Sequence, residues 1–317
     1  MNAGAGFNAL SMPDFTRTFP GPFHISPHAD RTEQYLLQWV GQVPLMPLSD
    51  ECRSLCAITG HGVARTLPSA DPDSLALCAA LFCWLTAFDD MHGETVAARA
   101  PAVLMGLVAE LTLVLADDAP SEVSAEPFAA ALQDLLARFR ARATAAQYLR
   151  LTGRLRDNLT GIVWEAHQLA NPTGVSVATY CAMRPHTVFV RTLFAAVEIL
   201  LQYQLTDEER SSPSVRKLET ATANLAGWIN DLGSYARESV RSAALSLPAV
   251  LMNEHGHSPE KVFGQISRLC EQQAEIARSR IAELSSAGSA PVRAHAIALT
   301  HIAESFLWHI SHHRYQA

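Results

Sequence analysis

Residues 75–94 read LALCAALFCWLTAFDDMHGE, a long apolar run that ends abruptly in acidic residues. The run lacks the alternation of apolar and polar residues that is typical of a half-buried strand, and its length favours a helix. A helix that is apolar on every side has no face for solvent, so other elements must surround it. The stretch therefore predicts a central helix from Asp73 to about Asp90.

Helical periodicity extends over nearly the whole chain, and period-2 alternation is essentially missing. Asp30 is expected to cap the first predicted helix, and either Ser49 or Asp50 is expected to cap the second. From the second onward, the predicted helices cover about 50–64, 73–90, 96–116, 127–142, 144–170, 176–203, 214–238, 243–254, 258–286 and 290–312. We expect an irregular segment over residues 1–29, followed by one all-α domain of about ten helices over residues 30–317.

Composition excludes several classes of protein. The 317 residues are 49% apolar and 17% charged, which is too apolar and too weakly charged for a disordered chain. The net charge of −7 argues against nucleic acid as a partner, since phosphate contacts need clustered Lys and Arg. We therefore expect a globular protein with a large core.

The six cysteines contain no CxxC pair and are expected to be reduced thiols buried in a cytoplasmic protein. The N-terminus lacks the charged and apolar regions of a signal peptide. Apolar stretches such as 75–88 and 102–116 are shorter than the roughly 18–20 residues of a membrane span, so no membrane insertion is expected.

Two polar clusters end apolar runs and present oxygen atoms. Asp89 and Asp90 close the central helix, and Glu94 follows four residues after Asp90. Asn230, Ser234 and Glu238 are spaced i, i+4 and i+8, so they line one helix face. Carboxylate, amide and hydroxyl oxygens suit a hard cation such as Mg²⁺, although a solvated polar helix face is the alternative for each cluster.

A third cluster lies at the C-terminal end, where Arg314 and Tyr315 follow six residues after Trp308. Arg184 lies 46 residues before Asn230. Taken separately, a chain-end Arg-Tyr pair is usually solvated, and Arg184 could be a structural residue paired with Glu198 or Glu219.

Together these residues resemble the bacterial class I terpene synthases, or terpene cyclases. Asp89-Asp90-x-x-x-Glu94 is similar to the family's aspartate-rich motif, and Asn230, Ser234 and Glu238 match its NSE triad. Arg184 stands at the family's diphosphate-sensing position, and Arg314-Tyr315 matches its terminal pair. The likeness covers about residues 17–315.

The resemblance implies a helical bundle around a central apolar cavity, and a carbon–oxygen lyase that ionises and cyclises an isoprenyl diphosphate. It implies three Mg²⁺ ions, for which Mn²⁺ can substitute. The residue roles that it implies are as follows: Asp89, Asp90, Glu94, Asn230, Ser234 and Glu238 bind metal; Arg184, Arg237, Arg314 and Tyr315 bind diphosphate; Arg184, Thr187, Val188 and Tyr315 act in catalysis.

A carbocation formed in such a cavity would need dry walls that stabilise charge without attacking it. Aromatic faces do this by cation–π attraction, on the order of 1–2 kcal/mol each when desolvated. The candidate wall residues are Phe82, Phe88, Trp164, Phe189, Trp228 and Trp308. For each of them, a place in the ordinary core is the alternative.

Two departures from the family pattern bear on the product. Gly93 occupies the last acidic position of a DDxxD motif, and Phe189 stands where the family often has Gly. A C15 substrate is favoured for a short single-domain synthase, with C20 as the competitor. A chain-elongating prenyltransferase and a non-catalytic helical binding protein stay open as rival functions, and so does assembly into a homodimer.

Overall fold

The computed structural model describes residues 13–93, 101–116, 126–170, 174–240 and 245–310, with the backbone alone at 101, 103 and 236–240. Within these ranges the chain forms helices and no strand. The α-helices are α1 Ala29–Gln42, α2 Asp50–Thr66, α3 Pro72–Phe88, α4 Pro101–Ala116, α5 Pro127–Arg140, α6 Ala145–Ala170, α7 Val177–Thr187, α8 Val190–Leu200, α9 Asp207–Ser211, α10 Pro213–Val240, α11 Leu247–His255, α12 Pro259–Ala287 and α13 Ala290–His309. A one-turn π-helix, Asp89–Gly93, continues α3. The all-α prediction is confirmed.

The chain divides into two compact units. The first, which we call the aspartate unit, comprises His24–Asn171 and Phe189–Gln204. The second, which we call the triad unit, comprises Met1–Phe23, Pro172–Val188 and Leu205–Ala317. The single domain over residues 30–317 stays a prediction.

Helix α3 is the central helix of the aspartate unit, where it contacts α1, α2, α5 and α8. Its buried residues point in all directions, so it has almost no amphipathic face. Burying each leucine contributes about 1.5–3 kcal/mol, so the buried leucines of α3 stabilise this unit. By length and composition Pro72–Gly93 would also pass as a membrane span, but 67% of the tested window is buried inside the protein, as expected of a core helix.

Helix α10 has the same position in the triad unit, where α7, α9, α11, α12 and α13 pack against it. Its 28 residues include Asn230, Ser234 and Glu238, which therefore share one continuous helix as predicted.

The helix starts agree in part with the sequence expectations. The hydroxyl of Ser49 accepts a hydrogen bond from the Cys52 N–H and so caps α2, as predicted. Asp30 is not the cap of α1, because it lies in the first turn after His28. Asp71 caps α3 through the N–H groups of Asp73 and Ser74, so that helix starts earlier than expected. All six cysteines are free thiols and five are buried, and burial raises the pKa of Cys78 to about 12.

The prediction of one continuous helix over 176–203 is wrong, because the helix is interrupted between α7 and α8. Helix α7 ends at Thr187 with Val188 as its C-cap, and Phe189 adopts the left-handed conformation with φ 61° before α8 begins. A bulky residue in this conformation is uncommon, and the strain costs on the order of 1–3 kcal/mol. Phe189 is 7% exposed, so packing of its ring offsets the strain.

Replacing Phe189 with glycine is expected to lower the free energy of unfolding by about 2 kcal/mol. Glycine would relieve the left-handed strain, but loss of a buried phenylalanine side chain costs roughly 3–5 kcal/mol. Urea denaturation of both proteins measures the difference. A glycine variant as stable as the wild type would mean that the strain equals or exceeds the packing energy.

Candidate active site

The aspartate-rich motif lies where α3 changes into the π-helix. Asp89 and Asp90 are both partly exposed there, at the end of a helix that is otherwise buried. Single π-helical turns occur often at functional sites, where they redirect side chains. The turn brings two carboxylates from the apolar core toward solvent.

Gly93 allows one of these carboxylates to fold back on its own helix. A Cβ atom at position 93 would lie 2.3 Å from Asp89 Oδ1, so the Asp89 carboxylate would have to move away from its present position. The last acidic position of DDxxD is thus filled by a residue that makes room for Asp89. Glu94 lies outside the described residues.

Phe88 belongs to a packed aromatic cluster in the aspartate unit. Its ring stacks on Trp84 at 5.6 Å and meets Phe128 edge-on at 5.4 Å, and it is 0% exposed. The Trp84 indole N–H donates to the Phe128 carbonyl at 2.9 Å. Burial beside these rings lowers the pKa of His92. Phe88 is therefore buried among these rings, and its place in a cavity wall stays a prediction.

On α10, Asn230 and Ser234 present oxygens from successive turns. The Ser234 hydroxyl donates to the Asn230 carbonyl at 2.8 Å, so its proton is used within the helix and its lone pairs remain available. Ser234 is buried, whereas Asn230 is partly exposed. The side chains of Arg237 and Glu238 lie outside the described residues.

The structure brings Arg184 of α7 directly onto this part of α10. Its Nη2 donates to Asn230 Oδ1 at 2.6 Å and lies 2.8 Å from Asp231 Oδ1. Its Nη1 donates to Thr187 Oγ1 at 2.9 Å. The guanidinium therefore touches a proposed metal ligand, a buried carboxylate and the end of its own helix.

The acidic partner of Arg184 that the structure describes is Asp231, whereas Glu198 and Glu219, which the sequence suggested, contact other basic residues. Glu198 pairs with Arg150 at 3.5 Å. Glu219 lies 3.1 Å from His295 and 3.7 Å from Arg210.

Asp231 is a site residue that the sequence reasoning missed. It is 2% exposed, and its Oδ2 accepts the Tyr180 hydroxyl at 2.8 Å and the Leu247 N–H at 3.1 Å. Burial raises the pKa of Asp231, while Arg184, Tyr180 and Leu247 pull it back down. A carboxylate within the apolar run of α10 was the available signal.

The donor set on α10 fits a hard divalent cation. Asn230 Oδ1 already faces a cationic guanidinium, and the hydroxyl lone pairs of Ser234 lie one turn further along. Amide and hydroxyl oxygens are ligands that Mg²⁺ accepts. In the described part of the chain, no three His, Cys, Asp or Glu side chains converge on one point.

The remaining predicted residues divide between the two units. Thr187 and Val188 are both buried at the end of α7 in the triad unit. Of the aromatic candidates, Phe82, Trp164 and Phe189 lie in the aspartate unit, and Trp228 and Trp308 lie in the triad unit. Phe189 and Trp228 are buried, and the other three are partly exposed. Arg314 and Tyr315 lie outside the described residues.

Changing Arg184 to Lys is expected to lower kcat/KM by about 100-fold although the charge is kept. An ammonium group cannot span Asn230, Asp231 and Thr187 as the planar guanidinium does. Each lost charge-assisted hydrogen bond costs about 1.5–3 kcal/mol. Release of inorganic diphosphate measures the rate. Arg210→Lys is the control, since its pairing with Glu219 is looser, and equal kinetics for both variants would contradict the assignment.

Comparison with known proteins identifies the family of the chain. Residues 80–275 match the family model described as terpene synthase family 2, C-terminal metal binding. The chain is 55% identical to a (12E)-labda-8(17),12,14-triene synthase of Streptomyces cyslabdanicus, over 99% of this chain and 95% of that protein. It is 34% identical to a labda-7,13(16),14-triene synthase of Streptomyces clavuligerus, over 92% of this chain and 84% of that protein.

Solved structures share the fold. The linalool/nerolidol synthase of Streptomyces clavuligerus superposes with a TM-score of 0.79 at 23% identity, covering 92% of this chain and 98% of that one. The reconstructed ancestral protein SVS_A2 gives a TM-score of 0.82 at 24% identity, covering 91% of this chain and 87% of that one. With the triad on α10, the paired aspartates after α3 and these relatives, the chain belongs to the bacterial class I terpene synthases, carbon–oxygen lyases that act on isoprenyl diphosphates.

Proposed function

We propose that the protein ionises a bicyclic C20 diphosphate of the labdane type and releases a labdane triene and inorganic diphosphate. The observation that carries the reaction type is the contact between Arg184 and Asn230 at 2.6 Å. It joins a donor suited to diphosphate and an oxygen suited to a metal in one cluster.

We propose that Mg²⁺ is held by Asn230, Ser234 and Glu238 on α10 and by Asp90 after α3, with Asp89 and Glu94 as further candidates. When bound, it supplies Lewis-acid stabilisation of the negative charge on the departing diphosphate. Three ions, with Mn²⁺ as a substitute, remain part of this proposal.

The chain's own residues bind the diphosphate and keep water away. Arg184 offers planar, bidentate donors to diphosphate oxygens, and Arg237, Arg314 and the Tyr315 hydroxyl are proposed to add others. Thr187 accepts a hydrogen bond from Arg184. We propose that Thr187 and the adjoining Val188 shift position when Arg184 binds the substrate. Exclusion of water matters because water would capture the allylic cation.

We propose that six aromatic residues form walls of the cation's pocket: Phe82, Phe88, Trp164, Phe189, Trp228 and Trp308. Their faces stabilise positive charge without offering a nucleophile.

The C20 assignment replaces the C15 preference expected from the sequence. Two relatives above 50% identity are named as labdatriene synthases, whereas the (+)-T-muurolol synthase of Roseiflexus castenholzii, named as cyclising farnesyl diphosphate, is 30% identical. A labdane has twenty carbons and two fused rings. None of these relatives is named as a chain-elongating enzyme or a binding protein.

The fused rings are proposed to be present in the substrate. Ionisation breaks the carbon–oxygen bond at one end of the molecule, and the allylic cation forms there. The labdane rings lie at the opposite end, where they are closed by protonation of an alkene. Loss of diphosphate and of one proton from a bicyclic labdadienyl diphosphate gives a labdatriene with no further ring closure, so atoms and charge balance.

Incubation of the purified protein with Mg²⁺ and, in separate reactions, geranyl, farnesyl, geranylgeranyl and labdadienyl diphosphates tests this proposal. Gas chromatography–mass spectrometry is expected to find a labdatriene from the bicyclic substrate. A cyclic C15 hydrocarbon as the main product would favour farnesyl diphosphate and overturn the C20 assignment. We keep a cytoplasmic enzyme without nucleic-acid partners as part of the same proposal.

A further inference from the structure

Gly227 and Asp231 lie one helical turn apart on α10, and both meet Arg184 of α7. A Cβ atom at position 227 would lie 2.8 Å from Arg184 Cγ, closer than side chains approach in real proteins. The aliphatic stem of Arg184 therefore rests against the bare backbone of Gly227. Any larger residue at 227 would push this stem away from α10.

Asp231 holds the other end of the same side chain. Its Oδ1 lies 2.8 Å from Arg184 Nη2, with 11% of the Arg184 side chain exposed. Its Oδ2 is occupied by the Tyr180 hydroxyl and by the Leu247 N–H. Two donors from different helices thus fix the carboxylate, and its remaining oxygen is directed at the guanidinium.

The start of α11 depends on the same carboxylate. Ser246, at the N-cap position of α11, makes no side-chain capping bond, and the Leu247 N–H is satisfied by Asp231 instead. Negative charge at a helix N-terminus is favourable. Asp231 therefore joins α7, α10 and α11, and this gives it a rigid position.

We infer that Gly227 and Asp231 form a seat that positions Arg184 for diphosphate, without touching diphosphate themselves. The inference rests on the proposed function. A guanidinium is planar, so fixing its stem at Gly227 and one nitrogen at Asp231 determines where its other donors point. A pre-organised side chain loses less entropy when it binds its ligand. We name both as positioning residues.

Calorimetric titration of the whole protein with inorganic diphosphate in the presence of Mg²⁺ tests the seat. Asp231→Asn keeps the shape and removes the charge, and Gly227→Ala displaces the stem. Each variant is expected to raise the Kd for diphosphate about 10- to 100-fold, as loss of a supporting residue behind a binding group does.

Two matched controls lie away from Arg184. Gly153 is a helical glycine, and the Cβ added by Gly153→Ala would have nothing within 4 Å. Asp134→Asn removes an exposed carboxylate that pairs with Arg138. Both are expected to keep the wild-type Kd. A melting temperature recorded for every variant separates loss of folding from loss of binding.

A double variant shows whether the seat acts through Arg184. Adding Asp231→Asn to Arg184→Lys is expected to weaken binding by less than the product of the two single effects. Effects that multiply would overturn the inference, as would unchanged Kd values for folded Asp231→Asn and Gly227→Ala proteins. If Asp231→Asn does not fold, Gly227→Ala decides alone. A wild-type protein that binds no diphosphate would contradict the proposed function, and the seat with it.

Discussion

Asn230→Ala is expected to lower kcat by at least about 100-fold while the protein stays folded. Asn230 is partly exposed on α10, and alanine at this position has no side-chain oxygen to offer a cation. Changing a residue that only supports a metal ligand lowers metal affinity or activity about 10- to 100-fold. Changing a ligand itself is therefore expected to lower activity at least as much. The change also removes one acceptor of Arg184 Nη2, which still contacts Asp231, while Arg184 Nη1 still donates to Thr187.

Asn224→Ala is the matched control for this variant. Asn224 lies on the same helix, and its amide donates weakly to Gln273 at 3.4 Å. It is expected to keep near wild-type turnover and melting temperature. If Asn230→Ala also turns over at a near wild-type rate, the assignment of the triad as a metal site is wrong.

Removal of divalent cations is expected to abolish turnover completely. The candidate ligands are all oxygens, and without a cation the leaving diphosphate loses the Lewis-acid stabilisation of its developing charge. Addition of Mg²⁺ or Mn²⁺ after EDTA is expected to restore the rate, as measured by release of inorganic diphosphate.

Far-UV circular dichroism provides the control for cation removal. The helices are built on buried cores around α3 and α10, so their content is expected to persist in EDTA. Full turnover in the presence of the chelator would exclude a metal-dependent mechanism.

The central helices could be predicted from the sequence because their signals are local. The apolar run of α3 has no polar face, and the i, i+4, i+8 spacing on α10 follows from helix geometry alone. The Ser49 cap is likewise a property of adjacent residues. Each of these features can be predicted without knowing which distant residues pack against it.

The break between α7 and α8 had a weaker signal that the prediction passed over. Pro185 lies inside α7 and lacks the N–H that a continuing helix needs, and the helix ends two residues later at Thr187. The positive φ of Phe189 could not be predicted from the sequence, because aromatic residues seldom adopt this conformation.

The partners of Arg184 could not be predicted, because they depend on tertiary packing. Asp231 lies 47 positions away along the chain, and only the packing of α7 on α10 brings the two together. Glu198 and Glu219 were equally plausible by charge, yet each has its own cation. The close approach of Gly227 to the Arg184 side chain likewise depends on the packing of α7 on α10.

The ratio of kcat/KM for labdadienyl diphosphate to that for geranylgeranyl diphosphate tests the central claim most directly. Both substrates have twenty carbons and one allylic diphosphate, so a difference between them reports on recognition of the fused rings. Release of inorganic diphosphate measures both in one assay. We predict a ratio of at least about 100, which corresponds to roughly 2.7 kcal/mol of discrimination. A ratio near one, or turnover of the linear substrate alone, would contradict the claim that this enzyme ionises a preformed bicyclic diphosphate.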